Sequence, residues 1–289
     1  MITIFTIPKP FEGHIGLIQR NAIGSWARLH PNCQILLCGS EPGTREVAAE
    51  FDIESIPTVE QNEFGTPLLN SAFAAAEKIA RFRLLCYVNA DIVLLSDFVV
   101  AARRVAGAKR RFLMVGQRCN LDVTDEIPLD AGGWQAELRR RARQTGALYR
   151  REAMDYFVYP RGTIGPLPAF AVGRPGWDNW MIYHARKQRI PVIDATPSTL
   201  VIHQNHGHGH VKQATGTKWE GPEANANRAL AGSQDLAFTL VDATHRLTVH
   251  GIEHNWGKSE LKRRIRTEVI LGPPFLRRSL RSLRYGPVA

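Results

Sequence analysis

Through residues 1–117, short apolar runs alternate with longer amphipathic stretches, and few folds can accommodate that rhythm. ITIFTI (2–7), QILLCG (34–39), IESIPTV (53–59), LLCYVNADIVLL (84–95) and RFLMVGQ (111–117) read as buried strands. Between them, HIGLIQRNAIGSWARL (14–29), TREVAAEF (44–51), LLNSAFAAAEKIAR (68–81) and SDFVVAARRVAG (96–107) carry helical periodicity. The last of these opens on Ser96 and Asp97, both able to cap a helix. Repeated β-α-β units of this length predict an α/β fold, a mainly parallel sheet with helices on both faces. The second half is less regular. Helices are expected at 133–149 and 177–188, and strands at 155–162, 190–195 and 199–203.

At 289 residues, 44% apolar and 22% charged, the chain can bury a large core. No apolar stretch reaches the roughly 18–20 residues that span a bilayer. MITIFTIPKPFEGH lacks a basic leader and a small-residue cleavage site, so a cytoplasmic protein is expected. Cys33, Cys38, Cys86 and Cys119 show no CxxC spacing and suit buried thiols better than a disulfide frame. The net charge of +10 is unevenly placed. From Lys258 onward nine Lys or Arg stand against two Glu. LKRRIRTEVILGPPFLRRSLRSLRY mixes those cations with Leu, Ile and Phe at helical spacing, as an interfacial helix does. The charge implies an anionic partner: a membrane surface, met peripherally on its inner face, nucleic acid or an acidic polymer. A solvated helix packed on the body is the plainer alternative. Only Phe275 and Tyr285 could stack bases in the last stretch, which argues against nucleic acid.

Asn89 and Asp91 interrupt one of the strand-like runs, where an uncompensated carboxylate is costly. Ligands of open α/β sheets bind beyond the carboxyl ends of the strands. Pro8 and Lys9 follow the first expected strand, Glu41 the second, and NEFGTPLLN with Thr66 and Asn70 the third. Together with Asn89 and Asp91 they would line one crevice. A carboxylate there suits a divalent cation bridging a diphosphate. With one carboxylate only, further ligands must come from elsewhere, and IHQNHGHGH offers His203, His206, His208 and His210.

These residues, with GRPGWDNWMIYHARKQRIPVIDATPSTLVIHQNH (173–206), resemble the nucleotide-sugar-dependent glycosyltransferases of the GT-A fold. The likeness covers about residues 1–210, is family-2-like, and extends to a plant and bacterial group sharing YVNADI and GRPGWDNW. Asn89-Ala90-Asp91 stands where that superfamily carries Asp-x-Asp. The resemblance implies a catalytic domain at 1–255, with a donor half 1–120 and an acceptor half 121–255, followed by a basic helical tail at 256–289. It implies Mn2+ or Mg2+ on Asp91, with His203 as the later metal ligand and His206 second. Pro8, Lys9, Glu41, Thr66, Asn70 and Asn89 would cradle the nucleotide. Asp178 matches the general base of inverting members. Trp177, Asn179 and Trp180 would face the acceptor, a glycan, lipid-linked or other hydroxyl. Asn in place of the first Asp puts the metal dependence in question.

Each residue also has a plain structural reading. Asp91 can end a strand, Asp178 can cap its helix, the histidines can be a solvated loop, and a tryptophan of the pair can be core. A nucleotidyltransferase making a nucleotide sugar is a near rival, but IPKPFEGHIG lacks its Gly-rich, cationic phosphate loop. A zinc hydrolase built on His203–His210 is a third class, without a helical HExxH.

Overall fold

The computed structural model describes residues 1–206, 219–232 and 237–272. Five parallel segments lay down one half of a nine-stranded sheet: β1 (Ile2–Thr6), β2 (Cys33–Cys38), β3 (Glu54–Ile56), β4 (Leu84–Val88) and, beyond an intervening strand, β6 (Leu113–Val115). The intervening strand is β9 (Tyr156–Pro160), antiparallel to β4 and β6. Beyond β6 lie β10 (Val192–Asp194), β12 (His245–Thr248) and the antiparallel edge strand β13 (Gly251–His254). The sheet is mainly parallel, as the sequence predicts, with β9 and β13 reversed.

Helices cover both faces, and period-2 alternation sorts the side chains between them. Phe5, Leu85, Tyr87 and Phe157 point to one face, under α3 (Leu69–Ile79) and α6 (Trp177–Lys187). Ile4, Cys86, Val88 and Val158 point to the other, under α1 (Gly13–Ala27) and α4 (Ser96–Ala108). The remaining helices are α2 (Thr44–Glu50), α5 (Trp134–Thr145), α7 (Pro222–Ala231) and α8 (Lys258–Leu271). None of the described helices is long and apolar enough to cross a membrane. All four cysteines are free, and burial pushes the Cys38 thiol up to about 12.

The run 84–95 is not one strand. β4 stops at Val88, Asn89-Ala90-Asp91 forms a turn closed by Ile92 N–H donating to Asn89 O at 3.1 Å, and β5 (Ile92–Leu94) joins a second sheet. That four-stranded sheet runs β5, β11 (Val201–Gln204), β7 (Cys119–Leu121), β8 (Ala147–Leu148). Val93, Leu95, Leu121 and Ile202 pack with Leu138 of α5 beneath it. Asp97 does not cap α4: its Oδ2 accepts from Arg139 at 2.8 Å and from Leu200 N–H at 3.1 Å.

The basic stretch after residue 257 begins as α8, which packs on the body. Arg263 pairs with the buried Asp242 at 2.8 Å, Thr267 Oγ1 donates to the same carboxylate at 2.6 Å, and Glu268 meets Arg186 at 2.9 Å. Residues 273–289, the rest of the expected tail, lie outside the described residues.

Candidate active site

The turn at Asn89–Asp91 lies where β4 ends, and two other elements reach it. β11 pairs antiparallel with β5, His203 opposite Ile92, so the end of β11 returns to Asp91. Gln204 locks this return, donating from its backbone N–H and its Nε2 to Asp91 O at 3.3 and 3.2 Å. His206 Nε2 then donates to Asp91 Oδ2 at 2.9 Å, and His203 Nε2 lies 3.7 Å from the same oxygen. Burial alone would raise the Asp91 pKa. The His206 hydrogen bond and the charges of His203, Lys9 and His206 outweigh it and hold the carboxyl well below its usual range.

One atom from each of Asp91, His203 and His206 falls within 4.8 Å of the others, the spacing of a metal-binding trio. Two atoms there are buried without a hydrogen-bond partner, Asp91 Oδ1 and His203 Nδ1. Such orphans are costly in a site of fixed composition and are expected where a ligand completes the set. Two imidazoles and a carboxylate suit the borderline Zn2+ best and are open to Mn2+, which accepts imidazole more readily than Mg2+ does. His208 and His210 lie outside the described residues.

Behind Asp91 is a group that sequence reasoning missed. Because β9 runs antiparallel, its first residues sit at the same edge as the ends of the parallel strands, which places Asp155 beside Asn89. Asn89 N–H donates to Asp155 O at 2.9 Å, and Asn89 Nδ2 donates to Asp155 Oδ1 at 2.9 Å. Arg118 Nη1 donates to the same oxygen at 2.7 Å while its guanidinium lies 4.2 Å from the Tyr149 ring centre. Asp155 Oδ2 is buried and unpartnered. The amide of Asn89 is therefore turned toward Asp155, and a carboxylate at residue 89 would face another carboxylate. A scan for residues after strands cannot find Asp155, which precedes one.

Asp178 stands in the first turn of α6, two residues after Gly176, whose φ of 98° lets the chain turn sharply into the helix. Burial pushes its carboxyl up to about 6, and the neighbouring Asp155 adds to the rise. Backbone N–H groups of Asn179, Met154 and Asp178 itself oppose the shift without cancelling it. Half-buried and backbone-held, Asp178 is ionised at neutral pH yet basic enough to accept a proton.

The other expected site residues divide. Lys9 faces Asp91 electrostatically, and its backbone is clamped by Gln19 through bonds of 2.7 and 2.9 Å. Pro8 follows β1, and Glu41 follows β2 with its carbonyl accepting from Thr44 N–H at 3.0 Å. Asn70 opens α3 with its Oδ1 buried and unpartnered. Thr66 lies in a loop organised by Asn62, whose Oδ1 accepts from Thr66 N–H at 3.0 Å and whose Nδ2 donates to Glu223 of α7 at 2.7 Å. Glu223 forms a buried ion pair with Arg174, just ahead of α6. Trp177 and Trp180 are core residues, 6% and 8% exposed. Trp177 packs edge-on to Tyr87, and Trp180 stacks on His184, so neither indole offers a broad face to a sugar. Asn179 Nδ2 is engaged by Glu152 O at 3.0 Å and Phe238 O at 2.8 Å, which ties α6 to two loops.

No family profile and no curated protein matches the chain. Solved structures do. Glucosyl-3-phosphoglycerate synthase from Mycobacterium tuberculosis, in complex with Mg2+ and UDP, is 14% identical over 72% of this chain and 72% of its own, at a TM-score of 0.45. TarS 1–349 from S. aureus, in complex with UDP-GlcNAc, is 10% identical over 72% of this chain and 60% of its own, at 0.48. The mannosyltransferase PcManGT from Pyrobaculum calidifontis, in complex with GDP-Man and Mn2+, is 12% identical over 72% of this chain and 58% of its own, at 0.45. At these identities and TM-scores the chemistry of this site is argued from its own residues.

Proposed function

We propose that the chain is a glycosyltransferase that moves a sugar from a nucleoside-diphosphate sugar, UDP-linked, to a hydroxyl acceptor. The observation that supports the reading is the Asp91–His203–His206 trio at the end of β4, with Asn89 bonded to Asp155 and Asp155 in turn raising the pKa of Asp178. Mn2+ held by the trio would neutralise charge gathering on the diphosphate leaving group. Lys9 adds a fixed cation beside Asp91, and the unpartnered Asn70 Oδ1 is available to a donor N–H or O–H. Pro8, Glu41 and Thr66 line the approach of the nucleotide. Asp178 takes the proton from the acceptor hydroxyl as it attacks the anomeric carbon, and a base used this way favours inversion. Asp155 holds Asn89 and Arg118 in place and raises the basicity of Asp178. The acceptor is a glycan, lipid-linked or other hydroxyl.

A metal-dependent hydrolase is the second reading, because two imidazoles and one carboxylate with open positions also suit a hydrolytic zinc. Calorimetric titration with UDP, GDP and UMP, with and without Mn2+, separates the two. Metal-dependent binding of one diphosphate, lost in Asp91→Ala and in His206→Ala, is the expected result. Absence of nucleotide binding together with tightly held zinc would replace the transferase reading with the hydrolase.

A further inference from the structure

The parallel strands begin at the edge of the large sheet opposite the crevice, and two adjoining cavities of about 320 and 450 Å³ open there. The first has an apolar floor of Met1, Leu84, Phe112 and Pro160 and a rim of Arg83, Arg103 and Lys109. The second shares Arg83 and adds Arg110, Arg111 and Arg161. No acidic residue lines either cavity.

Among the described residues, none of these six cations forms an ion pair. Arg83 donates to Arg110 O at 3.0 Å and Arg161 to Phe82 O at 3.2 Å, both neutral acceptors. Nearby acids are engaged elsewhere: Glu77 accepts from Gly162 N–H at 2.5 Å, and Glu54 pairs with Arg81 at 2.5 Å. Lys109 follows the C-terminus of α4, where the helix dipole favours a cation, but that accounts for one charge of the six. Guanidinium groups cannot shed their protons, so five of the six charges are permanent and the cluster attracts anions.

The cationic edge continues sideways. Lys109 and Arg264 both act electrostatically on His245 at the start of β12, and Arg264 lies 4.9 Å from the centre of the Trp256 ring. Trp256, Leu261 and Ile265 are 62%, 46% and 65% exposed, and Ile79 at the end of α3 is 42% exposed. Arginine rims over apolar floors, linked through Lys109, His245 and Arg264 to the exposed Trp256, match a lipid interface. A single-stranded nucleic acid would instead need aromatic platforms in the groove, and the aromatic of the cavities, Phe112, is fully buried.

We propose that this edge seats the protein on an anionic phospholipid surface, with headgroup phosphates in the two arginine-lined cavities. The inference is independent of the glycosyltransferase reading. β4 spans five residues, about 17 Å, so a protein seated this way opens its crevice away from the bilayer.

The test is co-sedimentation of the full chain with vesicles of phosphatidylcholine alone and of phosphatidylcholine mixed with phosphatidylglycerol. Binding to the mixed vesicles only, weakened by salt and about tenfold or more weaker in the Arg110→Glu/Arg111→Glu double variant, is expected. The Arg110→Ala/Arg111→Ala variant should fall between, and unchanged thermal unfolding of that variant excludes misfolding. Failure to bind the mixed vesicles, or equal binding by wild type and both double variants, would overturn the proposal. Binding of single-stranded RNA that is lost in the double variants, with vesicles ignored, would overturn it in favour of nucleic acid. UDP titration of the same proteins reads the donor site separately, so a failed donor hypothesis is not mistaken for a failed membrane face.

Discussion

Asn89 shows how a single amide decides the character of the site. Its Nδ2 donates to an Asp155 oxygen that also accepts from Arg118, so Asn is the side chain that fits beside a buried carboxylate. Replacing it with Asp would set two carboxylates against each other. Asn89→Asp is expected to lower stability by about 1–3 kcal/mol at pH 8. The loss should be recovered as the pH falls and one of the pair protonates, which denaturant unfolding at several pH values would read. Asp178 yields a second prediction. Its carboxyl sits at about 6 against a usual 3.8, so the folded state is favoured when it is protonated. Its contribution is full below about pH 4, is lost as pH rises through 6, and costs at most about 3 kcal/mol above that. Asp178→Asn should therefore raise the melting temperature at pH 8 while abolishing sugar transfer and sparing UDP binding. In the wild type, transfer rate should climb with pH to a plateau above about 6.

At the scale of elements, the decisive events are a strand that stops early and one that runs backwards. β4 ends at Val88 because the chain must turn to supply β5 to the second sheet, and that turn exposes Asp91 to β11. β9 enters antiparallel, which carries Asp155 to the same edge. A third link is electrostatic. Glu223 of α7 joins the Asn62–Thr66 loop to Arg174, with the glutamate 1% and the arginine 8% exposed. Removing one member of such a pair strands the other. Glu223→Gln is expected to cost about 3–5 kcal/mol. It should also raise hydrogen exchange across 60–68, while Glu223→Leu with Arg174→Met should be milder. Equal exchange in wild type and Glu223→Gln would show that the loop is held by other contacts.

For the whole molecule, the sheet divides two hydrophobic clusters, and α8 closes the structure from the side. The Asp242 side chain, fully buried, has Arg263 and Thr267 of α8 as partners. Deleting residues 258–289 would strip the carboxylate of Arg263 and Thr267, leaving it the Thr239 N–H and the nearby Arg186, and would uncover Ile270's contacts. Loss of cooperative thermal unfolding is the expected outcome. A truncated chain that melts like the full one would mean that α8 is an appendage, as the change in composition at Lys258 suggests.

Much of this architecture was legible in the residues themselves. Alternating apolar runs and helical periodicity depend on local physics, so the parallel core, the helices on both faces and the placement of Asp91 and Asp178 near strand and helix ends could be read without coordinates. The interruption at Asn89 and Asp91 was visible, but the second sheet beyond it was hidden, because Ile92-Val93-Leu94 is as apolar as β4 and hydrophobicity does not distinguish one strand from two in different sheets. Trp177 and Trp180 looked equally suited to a sugar or to a core. Only the packing of α6 against β4 and β9 assigned them to the core. Asp155, Arg118 and Glu223 act over long sequence separations, in contacts that exist only once strand order and direction are set. Composition and spacing determined the sheet and pointed to the strand-end edge where Asp91 lies. Tertiary structure alone decided which charges meet there, because burial and pairing are properties of the folded whole.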